Sequence, residues 1–316
     1  MSTGFASPAA CAAHRVAWGH PERPERLQAI AAALEAAGLA ARLQPLAPVA
    51  VEPALLAEVH EPAYLALAQA EIAAGRRELS TGDTPLSAGS WQAVLAASGA
   101  VLAAVDAVCE GRLHNAFCAV RPPGHHAEPA RGMGFCIVNH VALAARHAQR
   151  RHGLERVLIA DWDLHHGNGT QEAFYADGSV FYFSTHEYGN YPMALTGRGY
   201  AYEVGEGPGR GANMNRPLPS GAGDAEIQAA FAELADAMER FRPQLVLISA
   251  GFDARHGDPL GGLRVTDEGF AELTRMVLEI ARAHAGGRLV SVLEGGYDLE
   301  GLGLAAAAHV RELLEA

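Results

Sequence analysis

Four short, mainly apolar runs, each followed closely by polar residues that can do chemistry, constrain the fold of this chain more than any other feature. The runs are 115–120, 156–160, 245–249 and 289–293, and helical patterns separate most of them. Strands that alternate with helices predict an α/β fold with a mainly parallel sheet and helices on both faces. In such a sheet a ligand binds outside the carboxyl ends of the strands, so we expect the polar residues to meet at one edge.

The residues after the second and third runs predict a metal site. Asp163 and His165 follow 156–160 at alternate positions, which point the same way in an extended chain, and Asp253 follows 245–249. Two carboxylates and one imidazole with an open coordination position are typical of a catalytic zinc site. Each motif alone would fit a solvated turn equally well, because Asp favours turns. Together they predict Asp163, His165 and Asp253 as ligands of Zn²⁺ or a similar divalent cation.

The other polar residues at this edge suggest proton transfer. His125 and His126 follow the first run and can act as acid and base, because an imidazole both accepts and returns a proton near neutral pH. Tyr297, behind two glycines after the fourth run, can donate to an oxyanion. Asp161 and Asn168 can hydrogen-bond the imidazoles.

Signals for other chemistries are missing. The sequence has no Gly-x-Ser-x-Gly motif, and its cysteines lack adjacent basic residues, which disfavours an acyl-enzyme route. The glycine-rich segment 207–211 has no strand directly before it and no helix after it, so it is not a dinucleotide-binding fingerprint. Hydrolysis by metal-activated water is favoured.

Composition narrows the class of protein. The 316 residues are 49% apolar, and we expect one domain, 1–316, because no linker interrupts the chain. No uninterrupted apolar run approaches about 20 residues and no secretory signal begins the chain, so we expect a cytoplasmic protein with no membrane partner. Four cysteines without CxxC spacing suggest reduced thiols. A net charge of −12 disfavours nucleic acid and favours cationic small molecules or basic peptides.

Local patterns predict the secondary structure in more detail. A short strand is expected at 16–20, one helix over 55–67, and one long irregular segment over 189–223. Further helices are expected after 20–26 and over 90–108 and 139–152, and a further strand over 180–184.

Five motifs in this order resemble the zinc-dependent histone deacetylase family, most closely its class II members and their bacterial amidohydrolase relatives. The resemblance implies the arginase/deacetylase fold and hydrolysis of N-acetylated amines to acetate and free amine. The motifs are Arg121–His126, Gly134–Cys136, Asp161–Gly169, Gly251–Asp253 and Glu294–Tyr297.

The resemblance also implies roles for single residues. His126 would be the general base and acid, His125 its mainly electrostatic partner backed by Asp161, and Tyr297 the group that polarises the carbonyl. The zinc ligands would be those predicted above, with Fe²⁺ in the cell left open. A K⁺ site would use Asp161 and Ser184 with the main-chain carbonyls of Asp163, His165 and Thr185.

The resemblance also assigns residues to the family's substrate tunnel. Asp83 matches the rim aspartate, and Phe135, with its neighbour Gly134, and Tyr191 match the two aromatic walls. Leu260 matches an apolar rim position, and Arg26 matches an arginine of the inner acetate pocket. Two departures from the family pattern concern the site: Asn168 replaces the aspartate of class I members, and the loop 191–197 carries extra apolar residues that could reshape the mouth.

Acetyl-lysine or a similar small acylated amine, free or in a peptide, is the favoured substrate. An acetylpolyamine amidohydrolase is the alternative, although Leu260 is apolar where the polyamine-selective branch is acidic and the span from His60 to Asp83 is short. An arginase-like enzyme with two manganese ions would need Asp-x-Asp at Asp253. A non-catalytic acyl-amine binding protein would not need Tyr297 or the histidine pair. Homo-oligomerisation stays open.

Overall fold

The computed structural model describes residues 2–316, whose strands form an eight-stranded sheet in the order β2-β1-β3-β8-β7-β4-β5-β6. Every pair of neighbouring strands is parallel. This arrangement confirms the predicted α/β fold with a parallel sheet. The strands are β1 (Thr3–Ala6), β2 (Gln44–Pro45), β3 (Asn115–Cys118), β4 (Val157–Asp161), β5 (Val180–Glu187), β6 (Asn213–Leu218), β7 (Leu245–Ala250) and β8 (Leu289–Leu293).

Helices cover both faces of the sheet. The α-helices are α1 (Glu25–Ala36), α2 (Pro53–Leu56), α3 (Pro62–Ala73), α4 (Ser90–Cys109), α5 (His140–His152), α6 (Asn168–Phe174), α7 (Met193–Thr196), α8 (Asp224–Phe241), α9 (Asp267–His284) and α10 (Leu299–Glu315). Helices α1, α8, α9 and α10 contribute to one apolar core. Helices α3, α4 and α5 contribute to the core on the other face.

Strand β4 shows how the sequence alternation becomes packing. Leu158 and Ala160 lie in the first core, whereas Val157 and Ile159 lie in the second. The same period continues beyond the strand, because Trp162 is also buried in the first core. The polar residues on either side of Trp162, Asp161 and Asp163, therefore do not belong to this core and can form a site.

The sheet order explains why the polar residues converge. Strands β3, β8, β7 and β4 are consecutive neighbours in the sheet, and each precedes one of the motifs predicted to carry chemistry. Because all four strands are parallel, their carboxyl ends lie at one edge. The convergence predicted from the four apolar runs is confirmed.

Three local predictions are wrong. Residues 16–20 form no strand; this segment is irregular and contains a turn. The segment 55–67 contains parts of two helices, because α2 ends at Leu56 and Pro62 begins α3, where a missing N–H costs nothing. Segment 189–223 contains α7 and β6, whose Pro217 is tolerated because β6 is an edge strand.

Helix α4 is long and mainly apolar. Among residues 2–316 it is the helix with the length and apolar composition of a membrane span, although no uninterrupted apolar run of that length was predicted from the sequence. Most of its residues are buried inside the protein, as in a core helix.

Helix α10 offers a matched test of the packing. Leu313 is fully buried, whereas Leu304 is 47% exposed on the same helix. We expect Leu313→Ala to lower the free energy of unfolding by about 2–5 kcal/mol, because a buried cavity forms. Leu304→Ala should change it by less than about 0.5 kcal/mol. Urea unfolding measures both, and equal effects would contradict the described packing of α10.

Candidate active site

The three predicted metal ligands lie together at the carboxyl ends of β4 and β7. The Nδ1 atom of His165 is 3.1 Å from Asp163 Oδ1 and 3.0 Å from Asp253 Oδ2. The three potential ligand atoms all lie within 4.8 Å of one another. Bonds of 2.0–2.2 Å to a tetrahedral zinc ion would separate such atoms by about 3.3–3.6 Å. The donor set and its spacing therefore fit one divalent cation.

Main-chain groups fix both carboxylates. Gly295 N–H donates to Asp163 Oδ2 over 2.7 Å, and Leu164 N–H donates to Asp253 Oδ1 over 2.9 Å. This close approach requires glycine, because a Cβ atom would lie 2.1 Å from Asp253 Oδ2 at Gly295 and 2.0 Å from Asp163 Oδ2 at Gly251. The glycines of two motifs thus allow the backbone to hold the ligands.

The charges of this cluster are closely interdependent. Burial and the Asp163 carboxylate raise the pKa of Asp253 to about 7. Burial also acts to raise the pKa of Asp163, but His125 and His165 outweigh it and hold that pKa below its usual value. Two buried carboxylates that share one imidazole need further compensation, and a cation between them would provide it.

The two predicted catalytic histidines have different partners. His125 Nδ1 lies 3.0 Å from Asp161 Oδ2, which also accepts a hydrogen bond from the Tyr182 hydroxyl. His126 Nδ1 lies 2.8 Å from Asn168 Oδ1. Because an amide oxygen only accepts, Nδ1 of His126 carries the hydrogen and Nε2 is left as an acceptor.

These environments separate the protonation of the two rings. Burial acts to lower the pKa of His125, but the carboxylates of Asp163, Asp161 and Glu294 raise it to about 10. Burial, reinforced by His125 and His165, lowers the pKa of His126 well below its usual value. The pair therefore combines one charged and one neutral imidazole, an arrangement suited to proton transfer.

A cavity of about 250 Å³ opens onto this cluster. Of the predicted catalytic, ligand and substrate residues, eight line it, and Asn190 is an additional lining residue. The eight are Asp83, His126, Gly134, Phe135, His165, Tyr191, Leu260 and Tyr297.

The cavity wall is held together by Asp83. Its Oδ1 atom accepts hydrogen bonds from Gly134 N–H over 2.7 Å and from the Tyr191 hydroxyl over 3.1 Å. Phe135 packs edge-on against Tyr297, with the ring centroids 6.1 Å apart. Asp83 thus joins two aromatic walls as well as presenting a carboxylate to the cavity.

Arg26 lies beside Tyr297, and its place in an inner acetate pocket stays a prediction. It does not line the 250 Å³ cavity; its guanidinium is fully buried 4.9 Å from the centre of the Tyr297 ring. Its Nε donates to the carbonyl of Gly296 over 2.7 Å. Arg26 therefore supports the loop that carries Tyr297.

The extra apolar residues of loop 191–197 include none that line the cavity. Met193 is buried beneath the loop, and Leu195 is 71% exposed to solvent. Neither residue lines the cavity.

Glu294 is a site residue that the sequence analysis did not assign. Its Oε2 accepts hydrogen bonds from the main-chain N–H groups of Gly124, over 2.7 Å, and His125, over 3.1 Å. Ser249 Oγ donates to Oε1 over 3.2 Å, and burial raises the pKa of Glu294 to about 7. The available signal was a carboxylate directly after a fully buried strand, where a buried acid needs partners.

The residues proposed for K⁺ also lie side by side. Asp161 and Ser184 are register partners on β4 and β5. Among residues 2–316, the main-chain carbonyls of Asp163 and His165 receive no hydrogen bond, and the buried Thr185 Oγ1 has no partner. Unsatisfied buried oxygens beside a carboxylate fit a hard cation.

A second and larger groove contains none of the predicted site residues. It has a volume of about 770 Å³ and runs along β6 and α8. The chemistry-bearing residues therefore identify the smaller cavity as the candidate active site.

The chain matches known proteins over nearly its whole length. The histone deacetylase domain model matches residues 20–313. The histone deacetylase-like amidohydrolase of Pseudomonas aeruginosa is 42% identical over 297 residues, which cover 93% of this chain and 77% of that protein. The polyamine deacetylase HDAC10 of Homo sapiens is 40% identical over 315 residues, which cover 96% of this chain and 46% of the relative.

Other matches are shorter or structural. Histone deacetylase 10, chloroplastic, of Oryza sativa subsp. japonica is 49% identical over 199 residues, 63% of this chain and 44% of that protein. The match thus spans less than half the length of the rice and human relatives. A crystal structure of the HDA15 HD domain superimposes with a TM-score of 0.92 at 37% identity, covering 99% of this chain and 90% of that domain.

The domain match and the structural similarity confirm the family predicted from the five motifs and the arginase/deacetylase-like fold. This chain belongs to the histone deacetylase family.

Proposed function

We propose that this chain hydrolyses the amide bond of a small N-acylated amine, with acetyl-lysine as the favoured substrate. One observation carries the proposal: His126, Tyr297 and the metal-ligand candidate His165 line the same 250 Å³ cavity. A proton acceptor, an oxyanion donor and a cation site therefore all face the space that a small substrate would occupy. The related amidohydrolase and deacetylases support this reaction class.

Asp163, His165 and Asp253 would hold the cation, which we propose to be Zn²⁺. When bound, a zinc ion polarises the substrate carbonyl and lowers the pKa of a water molecule. The ligand set of two carboxylates and one imidazole suits zinc, and Fe²⁺ remains an alternative. An arginase-like pair of ions is disfavoured, because the cluster contains three such ligands among residues 2–316.

His126 acts first as the general base. Its Nε2 is free to accept a proton from the attacking water, because Nδ1 is held by Asn168. A C–O bond forms to the acyl carbon while the carbonyl oxygen gains negative charge. His125, held by Asp161, adds positive electrostatic stabilisation. His126 then returns the proton to the amine nitrogen as the C–N bond breaks, releasing a carboxylic acid and an amine.

Tyr297 supplies the second stabilising group. Its ring lines the cavity, and its hydroxyl has no hydrogen-bond partner within residues 2–316. The hydroxyl can therefore donate to the developing oxyanion. A non-catalytic binding protein would have no use for this donor together with the histidine pair.

The cavity wall supports a lysine-like substrate. Phe135 and Tyr191 provide aromatic walls for an aliphatic chain, and Asp83 offers a carboxylate at the cavity. Leu260 adds apolar surface where a distal ammonium of a polyamine would prefer a carboxylate. The acetylpolyamine alternative rests on the relative named polyamine deacetylase HDAC10.

The proposal is tested by substrate competition. Purified zinc-loaded protein is given acetyl-lysine peptides and N-acetylpolyamines, and kcat/KM is measured from acetate release. We expect a higher kcat/KM for the peptide. A preference for the polyamine would support the alternative, and saturable binding without acetate release would support a binding protein.

Two further assignments stay predictions. K⁺ would be bound by Asp161 and Ser184 with the main-chain carbonyls of Asp163, His165 and Thr185. The cytoplasm is the expected compartment, because all four cysteines are free thiols.

The ligand set predicts metal loss on substitution. Asp163→Ala and Asp253→Ala should each reduce metal at this site to a small fraction of a mole per mole, because the remaining two ligands bind weakly. Asp236→Ala, at an exposed position on α8, is the matched control and should retain full occupancy. Elemental analysis with calorimetric titration measures both. Normal metal binding in either ligand variant would disprove the assigned set.

Tyr297→Phe should retain the metal but lower kcat about 100- to 1,000-fold, because an oxyanion donor contributes roughly 3–4 kcal/mol. The exposed Tyr188 provides a control, since Tyr188→Phe should leave kcat unchanged. Steady-state kinetics and elemental analysis distinguish the two effects. If Tyr297→Phe turned over normally, the oxyanion role would be wrong.

Glu294 should act by positioning His125. Glu294→Ala removes the acceptor for two N–H groups, so His125 is no longer held in place, and kcat should fall at least about tenfold, which corresponds to about 1.4 kcal/mol of transition-state stabilisation. Glu294→Gln keeps an acceptor oxygen and should retain most activity. Thermal unfolding controls for lost stability. Equal losses in both folded variants would show that the charge, and not the hydrogen-bond geometry, matters.

A further inference from the structure

A second group of metal-ligand residues lies near the carboxyl-terminal ends of α4 and α5, outside the candidate active site. Asp106 lies on α4, and His147 and His152 lie on α5. Both imidazole Nε2 atoms are 2.7 Å from Asp106 Oδ1. One potential ligand atom of each residue lies within 4.8 Å of the other two.

A metal ion can take the place of the hydrogens that the two imidazoles donate to Asp106. A carboxylate oxygen only accepts, so each Nε2 carries a hydrogen and donates it to Asp106 Oδ1. Within residues 2–316 neither Nδ1 atom has a hydrogen-bond partner, so no protein group prevents the hydrogen from moving to Nδ1 and leaving the Nε2 lone pair for the ion. The three side chains are each about 15% exposed or less, so a small ion can reach them from solvent.

Arg151 is the nearby positive charge that would oppose a cation. Its Nε lies 3.4 Å from Asp106 Oδ1, but its side chain is 59% exposed. An exposed ion pair of this kind contributes about 0–1 kcal/mol, so Arg151 can turn into solvent when the carboxylate is occupied.

We propose that Asp106, His147 and His152 form a second site for a divalent transition metal, with Zn²⁺ as the expected ion. Two imidazole nitrogens and one carboxylate oxygen are ligands that Zn²⁺ and Co²⁺ both accept, and water completes the coordination. The ion joins α4 to α5 at the ends of both helices. Because it binds the folded chain, it raises the unfolding temperature.

This site is structural and does not depend on the proposed hydrolysis. Helix α5 begins at His140, directly after the pocket-lining loop of Gly134 and Phe135, whereas His152 ends it. The metal therefore holds the end of α5 that is remote in sequence from the cavity.

The test counts metal ions in the full-length chain, prepared without a histidine tag and freed of metal by a chelator. Asp163→Ala silences the candidate active site, and Co²⁺ or Zn²⁺ is titrated into this variant with calorimetry and visible absorption. We expect one equivalent to bind. Adding His147→Ala and His152→Ala should abolish this binding, and adding His284→Ala, which removes a histidine beside a single carboxylate, should not.

Unmutated protein provides the second measurement. It should bind two equivalents of Zn²⁺, and the His147→Ala/His152→Ala variant one. Zn²⁺ should raise the unfolding temperature of Asp163→Ala, but not that of the variant that also lacks both histidines. Absence of binding in Asp163→Ala together with one equivalent in the unmutated chain would overturn the proposal. So would an equivalent that still binds to the Asp163→Ala variant after His147 and His152 have also been replaced.

Discussion

The central constraint on this structure is the burial of two carboxylates against one imidazole. Asp163 and Asp253 are buried with one oxygen each about 3 Å from His165 Nδ1. One ring nitrogen carries at most one hydrogen, so it cannot satisfy both acids as a donor. The surrounding backbone nevertheless holds them there, through Gly295 N–H and Leu164 N–H. An arrangement that is costly without a cation becomes favourable with one. The glycine motifs are explained by the space that the two carboxylates need.

The parallel sheet supplies the positions for this cluster. Its four central strands each deliver one motif to the same edge, so residues far apart in the chain become neighbours. Alternation along β4 separates the functions of successive residues: Trp162 packs against Phe231 in the core, while Asp161 holds His125. Glu294 then ties the loop of His125 to the end of β8. Core packing and site geometry therefore depend on the same strands, through different residues of each.

The sequence predicted most of the site because alternation and strand ends are local signals. Asp163 and His165 could be predicted as ligands of one cation from their alternate spacing. Asp253 could be added as the third ligand because it follows a strand. Glu294 was missed because its partners, Gly124 and His125, belong to another strand's loop. Strand β6 was missed because its register with β5, and not its own composition, makes it a strand. Sequence alone does not reveal that the Arg26 guanidinium lies against the Tyr297 ring, because the two residues are far apart in the chain.

The most direct test of this account is anomalous X-ray scattering from crystals of the zinc-loaded protein, recorded on both sides of the zinc absorption edge. The account predicts a zinc peak about 2.0–2.2 Å from His165 Nδ1 and from one oxygen each of Asp163 and Asp253. Well-ordered side chains at these positions with no peak between them would contradict it, whatever metal were found elsewhere on the chain.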